Sequence, residues 1–459
     1  MSAQGREILM LNSGANTFKL SRRELLSLIA ALMALMALGI DILLPAFDDI
    51  RVAYGLSEDS SSPGQLITVY FVGLAIAQLF FGPISDWFGR KPVIYAGISI
   101  YVIGSIGAAL APNFITLLIF RFVWGVGAAG TRVVAIAVIR DCYEGSQMAK
   151  AMSEVMAVFV LVPILAPTFG AGLIALFPWE SIFWFCAIAA LLMSLWSLRL
   201  PETLKPEYKN RFNWSSTKRG YIRVLRTRLT ASYTVASIFL QAVFVMYLSS
   251  SERIISDILG RGDQFPIVFG VVATMFGVTA LLNGRFVVVL GIKKMLFFSS
   301  MSLVFFSFVL LIATVAEGGK PGFWVFIPIL AISLSTFMLI MPNLNSAALF
   351  PMGDIAGTAG AFTSAIRMSI GATIGGILNA VIDESLTPFA MGLFAMAVLA
   401  SIGIYCAGDP ESSFDHVESC SKIVGGSLHG SFRVPFLASL IAFHTRSGVH
   451  GMSRWRTPK

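Results

Sequence analysis

The sequence predicts an all-α membrane protein of twelve spanning helices in two halves of six. Three observations lead there. Twelve apolar stretches approach or exceed the roughly 20 residues that a helix needs to cross a bilayer, and they fill most of the 459-residue chain. Only 13% of residues are charged and 56% are hydrophobic, with a mean hydropathy of +0.80, whereas soluble domains carry about 25% charged residues. A long basic segment at 200–228 divides the stretches six and six. The number of stretches excludes a single-pass receptor. Their continuity, without period-two alternation, excludes an outer-membrane barrel.

The spans are expected at 24–46, 65–84, 93–111, 115–138, 151–173, 180–199, 229–250, 265–286, 295–315, 323–347, 359–381 and 388–407. The first run is too long for a signal-peptide core and has no small-residue cleavage site, so it is read as the first span. The net charge of +8 is read as a topology signal rather than as a nucleic-acid footprint, because the basic residues sit between spans. With the N-terminus in the cytoplasm, the inner side collects Arg22, Arg23, Arg90, Lys91, Arg140, Lys150, Lys293, Lys294 and the basic residues of the linker. The outer side holds Arg51, Arg253, Arg261 and Lys320, diluted by Asp48, Asp49, Glu58 and Asp59. The expected organisation is a cytoplasmic segment 1–23, a six-helix half 24–199, a cytoplasmic linker 200–228, a second half 229–407 and a polar cytoplasmic tail 408–459. The linker has room for an amphipathic stretch on the membrane surface. The apolar piece 434–443 in the tail is too short to span. The expected location is the inner (cytoplasmic) membrane of the cell, multi-pass, with both termini inside.

The composition also bears on chemistry. All four histidines, from His416 to His450, lie in the last 45 residues, so the spanning body has none. The four cysteines form no CxxC pair. No HExxH, no GxSxG and no phosphate-binding GK[ST] loop occurs, which argues against an enzyme and against nucleotide drive. A sensor would be expected to carry a folded soluble domain, and the tail is short and polar. The partners expected are protons, a small-molecule substrate and the lipid bilayer, with no cofactor, metal, nucleotide or nucleic acid. The chain is expected to act as a monomer.

The most specific motif is the loop GPISDWFGRKP, residues 82–92. Gly82 and Gly89 suit a tight turn between spans, Asp86 suits the positive end of a neighbouring helix, and Arg90 and Lys91 hold the loop inside. It reads either as a plain positive-inside turn or as a gating latch between the halves. A weak repeat, NGRFVVVLGIKK at 283–294, places a glycine and then basic residues at the same point of the second half.

Single residues within spans carry the remaining signals. A carboxylate at a helix centre costs roughly 2.5–3.5 kcal/mol to insert, so Asp41 is either a functional group or a hydrated residue at the mouth of span one. Arg121 lies at a matching depth in span four, roughly 10 Å in at 1.5 Å per residue. It reads as Asp41's partner or as a snorkelling side chain. Arg132 reads as a cavity charge or as a structural partner of Glu154 or Asp141. Arg367 reads as structural, at the inner end of span eleven beside Asp354. Pro163, Pro167 and Gly170 in span five predict a bend with close packing. Gly371 and Gly375 in span eleven read as a close-packing motif. Adaptable apolar side chains suit a cavity wall, and the wall candidates are Met33, Met36, Met156, Phe159, Gln241, Phe244 and Tyr247.

The 82–92 loop resembles the signature loop of the major facilitator superfamily, with Trp87 standing where that family has a basic residue. ALGIDILLPA (37–46), RFVWG (121–125), PWESIFW (178–184), LPETL (200–204), NGR (283–285) and GDIAGTA (353–359) resemble Bcr/CflA-type drug:proton antiporters, and the last is also similar to phenicol exporters. The resemblance runs over roughly 24–407. It implies the major facilitator fold, with a central cavity between two rocking halves. It further implies proton-coupled export of small lipophilic toxic compounds. Asp41 and Arg121 would be the coupling pair, Arg132 a displaced cavity charge, and Trp124, in the place of a glutamine, an aromatic cavity wall. The Pro163–Pro167–Gly170 bend would favour exchange over leak. The alternative in the same fold is a transporter of a natural metabolite, either proton-coupled or facilitative.

Overall fold

The computed structural model describes residues 20–407 except 58–59, 144, 205–213 and 383–384. The expected N-terminal segment up to residue 19, the middle of the linker and the tail from 408 onward lie outside the described residues. The first six spans are α1 (Arg22–Asp41), α3 (Gln65–Phe88), α4 (Arg90–Ala109), α5 (Phe114–Cys142), α6 (Gly145–Leu176) and α7 (Ser181–Ser197), with a short α2 (Phe47–Ala53) after the first. In the linker lies α8 (Trp214–Arg226). Then follow α9 (Arg228–Arg253), α10 (Phe265–Ala316), α11 (Phe323–Leu349), α12 (Ala356–Ala380) and α13 (Thr387–Ala407). Helix α10 is two spans, because at Gly291 the backbone leaves the helical region with φ 76° and ψ 159°. Ten segments are long and apolar enough to cross a membrane, counting α10 once. The 17-residue α7 reaches about 26 Å at 1.5 Å per residue. Each expected span therefore coincides with a helix, giving twelve crossings among the described residues.

Local chemistry sets the helix ends. Ser21 caps α1, its hydroxyl accepting from the Glu24 amide at 3.2 Å, and Asn113 caps α5 by accepting from Thr116, each satisfying an otherwise orphaned N–H. Helix α1 stops at Asp41 because Pro45 follows and opens a tight turn at Leu44–Ala46. The 82–92 segment is not the open loop that its glycines suggest. Helix α3 continues through Pro83 to Phe88, and the turn is reduced to Gly89, with φ 112°. Pro83 has no N–H for the carbonyl four residues earlier, but that carbonyl, on Leu79, instead accepts from the Tyr221 hydroxyl at 3.3 Å. Gly89 and Gly291 take up the same positive-φ turn at corresponding places, so the weak sequence repeat is a structural one.

Helices in the first half approach closely where side chains vanish: a Cβ on Gly125 of α5 would lie 2.1 Å from the Tyr70 carbonyl of α3. The linker helix α8 turns part of its apolar side inward. Val224 is buried with Met352 and Ala359, and Tyr221 stacks on Phe362 of α12 with centroids 4.2 Å apart. Among the apolar residues of α8, Tyr221 and Val224 pack on protein, while Ile222 and Leu225 stay exposed. On the opposite face of the bundle, where α1 ends and α3 begins, Asn379 of α12 donates to the Ser61 carbonyl at 3.2 Å, and Arg51 of α2 pairs with Glu252 of α9.

Candidate functional site

A cavity of about 270 Å³ lies where helices of both halves meet. Its walls are mainly apolar, with Phe159, Phe244, Phe269, Phe276 and Phe337 contributing rings. Its only charged wall residues, among those described, are Asp41 of α1, Arg132 of α5 and Arg367 of α12. A larger groove of about 950 Å³ lies beside Phe297, Phe298 and Tyr405. Those rings are exposed on the outside of the bundle, where a membrane protein meets lipid, and no titratable group of the candidate site is near it.

Asp41 is the last residue of α1 and only 4% exposed. Among the described residues its carboxylate has no hydrogen bond and no ion pair, and the cavity is what it faces. Arg121 is fully buried, and it does not pair with Asp41. Its Nη1 donates to the Gly39 carbonyl at 2.8 Å and its Nε to the Leu66 carbonyl at 3.3 Å. Its guanidinium carbon lies 4.7 Å from the ring centroids of both Tyr70 and Trp124, a cation–π arrangement. Backbone carbonyls of α1 and α3 take the donors instead. The Gly39 carbonyl lies in the last turn of α1, where helix carbonyls lack a partner and favour a cation. Tyr70 and Tyr101 add hydroxyl donors to the carbonyls of Met36 and Leu35. Arg121 therefore braces the last turns of α1, two residues from the Asp41 carboxylate.

Of the wall candidates, Met36, Phe159, Gln241, Phe244, Tyr247 and Arg132 line the cavity. Met33, Met156 and Trp124 do not. Met33 is sealed in the main hydrophobic core, and Met156 packs against that core. Trp124 is enclosed by Tyr70, Tyr101 and Phe183, so the replaced glutamine has become core and not cavity wall. The structural pairs considered for Arg132 are otherwise engaged: Glu154 pairs with Arg22 at 3.0 Å and Asp141 with Arg90 at 2.8 Å. Arg132 donates to Gln78 Oε1 at 3.2 Å.

Arg367, read from sequence as structural, is a cavity residue. It donates to Gln241 Oε1 at 3.2 Å and to Ser364 Oγ at 3.0 Å. Each half thus supplies one guanidinium held by a neutral amide oxygen, and neither has a carboxylate partner among the described residues. The signal for Arg367 was available, since it is a lone charge inside a long apolar span with no acidic residue to match it.

The signature turn makes its polar contacts within the first half and the start of the linker. Asp86 does not sit at a foreign helix terminus; it accepts from Arg90, which also binds Ser85 and Asp141. The Glu202 carboxylate accepts from the backbone N–H groups of Arg90 and Lys91, at 2.9 and 3.1 Å. An anion at a helix start is stabilised by those free donors and by the dipole. Lys91 Nζ donates to the Leu198 carbonyl. In α6, Pro163 lines the cavity and Pro167 lies within the helix. Gly170 lets the helix rest on the backbone just past Asp41: a Cβ there would be 2.2 Å from the Ile42 carbonyl. In α12, Gly371 and Gly375 are likewise close-packing positions, against Gln241 and Ala242 of α9.

A family model for the Major Facilitator Superfamily matches residues 29–376. The chain belongs to the Major Facilitator Superfamily. It is 28% identical over 381 residues to the bicyclomycin resistance protein homolog of Haemophilus influenzae, across 80% of this chain and 92% of that one. It is 30% identical over 269 residues to the multidrug resistance protein MdtL of Shigella dysenteriae serotype 1, across 58% of this chain and 66% of that one. Among solved structures, a D-xylose-proton symporter superposes with a TM-score of 0.69 at 15% identity, over 83% of this chain and 97% of that one. The human organic anion transporter MFSD10 superposes with a TM-score of 0.63 at 17% identity, over 84% and 99%. At such identities these two show the fold alone. As a major facilitator, the chain is a multi-pass membrane protein and a secondary transporter of small molecules. It is not an enzyme.

Proposed function

We propose that this major facilitator is a proton-coupled exporter of small lipophilic toxic compounds, working by drug:H+ antiport in the cytoplasmic membrane with both termini inside. The observation that carries the reading is the Asp41 carboxylate, almost fully buried, unpaired and opening onto an apolar cavity between the halves. A carboxylate in such a place has no cation to keep it ionised, so it can exchange a proton as the cavity changes its exposure. Competition between that proton and substrate is the coupling an antiporter needs. The names of the bacterial relatives support export of drugs. Arg121 serves the exchange by fixing the end of α1, and Gly170 by holding α6 against it. The halves 24–199 and 229–407 move as units about the cavity, with the signature turn bracing the inner end of the first.

The test uses proteoliposomes with a pH gradient and a panel of phenicols, lipophilic cations and other drugs. Wild type should release protons when a substrate is added, and Asp41→Asn should not. Equal proton exchange by both proteins would place coupling elsewhere. A second reading, transport of a natural metabolite, is favoured by one observation: Arg132 and Arg367 face the cavity with no carboxylate partner among the described residues. An anionic substrate held there binds better when Asp41 is protonated, so proton and substrate would move in the same direction. The sign of proton flux in the same assay separates the two readings.

A further inference from the structure

We infer that the Arg51–Glu252 pair is a proton-operated closure between the halves, with Glu252 as a second proton-binding carboxylate of the transport cycle. This rests on the proton-coupled reading above, but not on the role given to Asp41. Arg51 lies on α2 and belongs to the first half. Glu252 lies in the last turn of α9 and belongs to the second. They meet at 3.1 Å, Nη2 to Oε2, with side chains 5% and 3% exposed. This is the face on which Asn379 also reaches Ser61, so the cavity is closed here. For the cavity to open on this side, Arg51 must part from Glu252.

The remaining groups around the pair decide what parting requires. Arg51 also binds Asp48 on its own helix, and Asp257 of the second half lies 3.7 Å away. Arg253, the neighbour of Glu252, is directed to the Ile382 carbonyl. Across the interface, then, Arg51 is held chiefly by Glu252, with Asp257 as a weaker and partly exposed partner. The second oxygen of Glu252, Oε1, is buried without a hydrogen-bond partner among the described residues, and the Ser256 hydroxyl one turn on lies beside the carboxylate. Separating the halves with Glu252 ionised breaks a buried, hydrogen-bonded ion pair, which is unfavourable. A proton on Glu252 removes that charge, weakens its hold on Arg51 and turns the carboxyl into a donor. The carboxylates of Asp48 and Asp257 lie beside the pair. With side chains 61% and 36% exposed, they also connect the buried pair to water. Acid on this side therefore favours opening.

The experiment places spin labels at Leu176→Cys, at the end of α6, and Ile267→Cys, at the start of α10, both exposed. The background has Cys142, Cys186, Cys406 and Cys420 changed to alanine. Distances are measured by double electron–electron resonance in nanodiscs from pH 5 to 8, without substrate. Wild type should shift toward longer distances as pH falls, the open-to-closed ratio changing by up to about tenfold per pH unit for one coupled proton. Glu252→Gln should hold the long-distance population high and independent of pH. Arg51→Gln, which keeps the carboxyl but removes its partner, should also lose the closed population, and it serves if Glu252→Gln does not fold. Asp41→Asn should retain a pH response, because Glu252 still titrates, which separates failure of this inference from failure of the Asp41 reading. In transport, Glu252→Gln should release one proton fewer per substrate. A pH response in Glu252→Gln equal to wild type, one that disappears in Asp41→Asn, or none in wild type overturns the inference.

Discussion

Replacing Arg121 by lysine tests whether this buried cation acts as a charge or as a brace. The structure gives its guanidinium two backbone acceptors on different helices, Gly39 of α1 at 2.8 Å and Leu66 of α3 at 3.3 Å, and two aromatic rings at 4.7 Å. A lysine keeps the charge but has a single nitrogen on a flexible stem and cannot reproduce the fork. One charged hydrogen bond is lost, about 1.5–3 kcal/mol, and part of the cation–π contact with it, about 0.5–1 kcal/mol. The total is about 2–4 kcal/mol. Domains of 150–250 residues lose about 2–4 °C per kcal/mol. Taking roughly half of that for this larger chain, because unfolding entropy grows with length, gives a fall in Tm of about 2–8 °C. Thermal unfolding in detergent reads the stability, and proton release in proteoliposomes reads the coupling. Arg121→Lys should lose both. A lysine variant with wild-type Tm and wild-type proton release would refute the brace and return Arg121 to the role of a distant charge acting on Asp41.

Further expectations follow from the same geometry. Gly170→Ala should lower thermal stability by about 1–3 kcal/mol, as overpacking does, since its methyl meets the Ile42 carbonyl; an unchanged Tm in detergent would show that α6 yields freely. Gly291→Ala should cost about 1–3 kcal/mol in a backbone region open essentially to glycine alone, with no steric neighbour to blame; this too is read from Tm. Glu202→Gln, which removes the anion accepting from Arg90 and Lys91, should cost about 0.5–2 kcal/mol by the measure of helix caps and speed proteolysis at the Gly89 turn. Under the metabolite reading, Arg132→Gln and Arg367→Gln should each weaken binding of an anionic substrate roughly tenfold, the equivalent of about 1.4 kcal/mol, in a direct binding titration.

What the sequence by itself determined is the number and order of the spans. In lipid every backbone polar group must be satisfied within the segment, so each crossing is a self-contained helix announced by its own apolar length. The repeat was legible for a related reason, since Gly89 and Gly291 take backbone angles that side chains resist. Asp41 and Arg132 stood out because ionisable groups are rare in such segments. Which side of each helix faces the cavity was not legible. A lipid-facing side and a core-facing side are both apolar, so the periodicity that orients helices in water is blurred. Met33 and Met36 lie one turn apart in similar surroundings, yet only Met36 reaches the cavity. Trp124 looked like a wall and is core. The tertiary structure alone decided that the donors of Arg121 go to backbone carbonyls of α1 and α3 and that Arg367 faces Arg132's cavity. It alone joined Arg51 to Glu252 across 201 residues of sequence. Those pairings depend on how separate, individually stable helices pack, and no local rule of sequence carries that information.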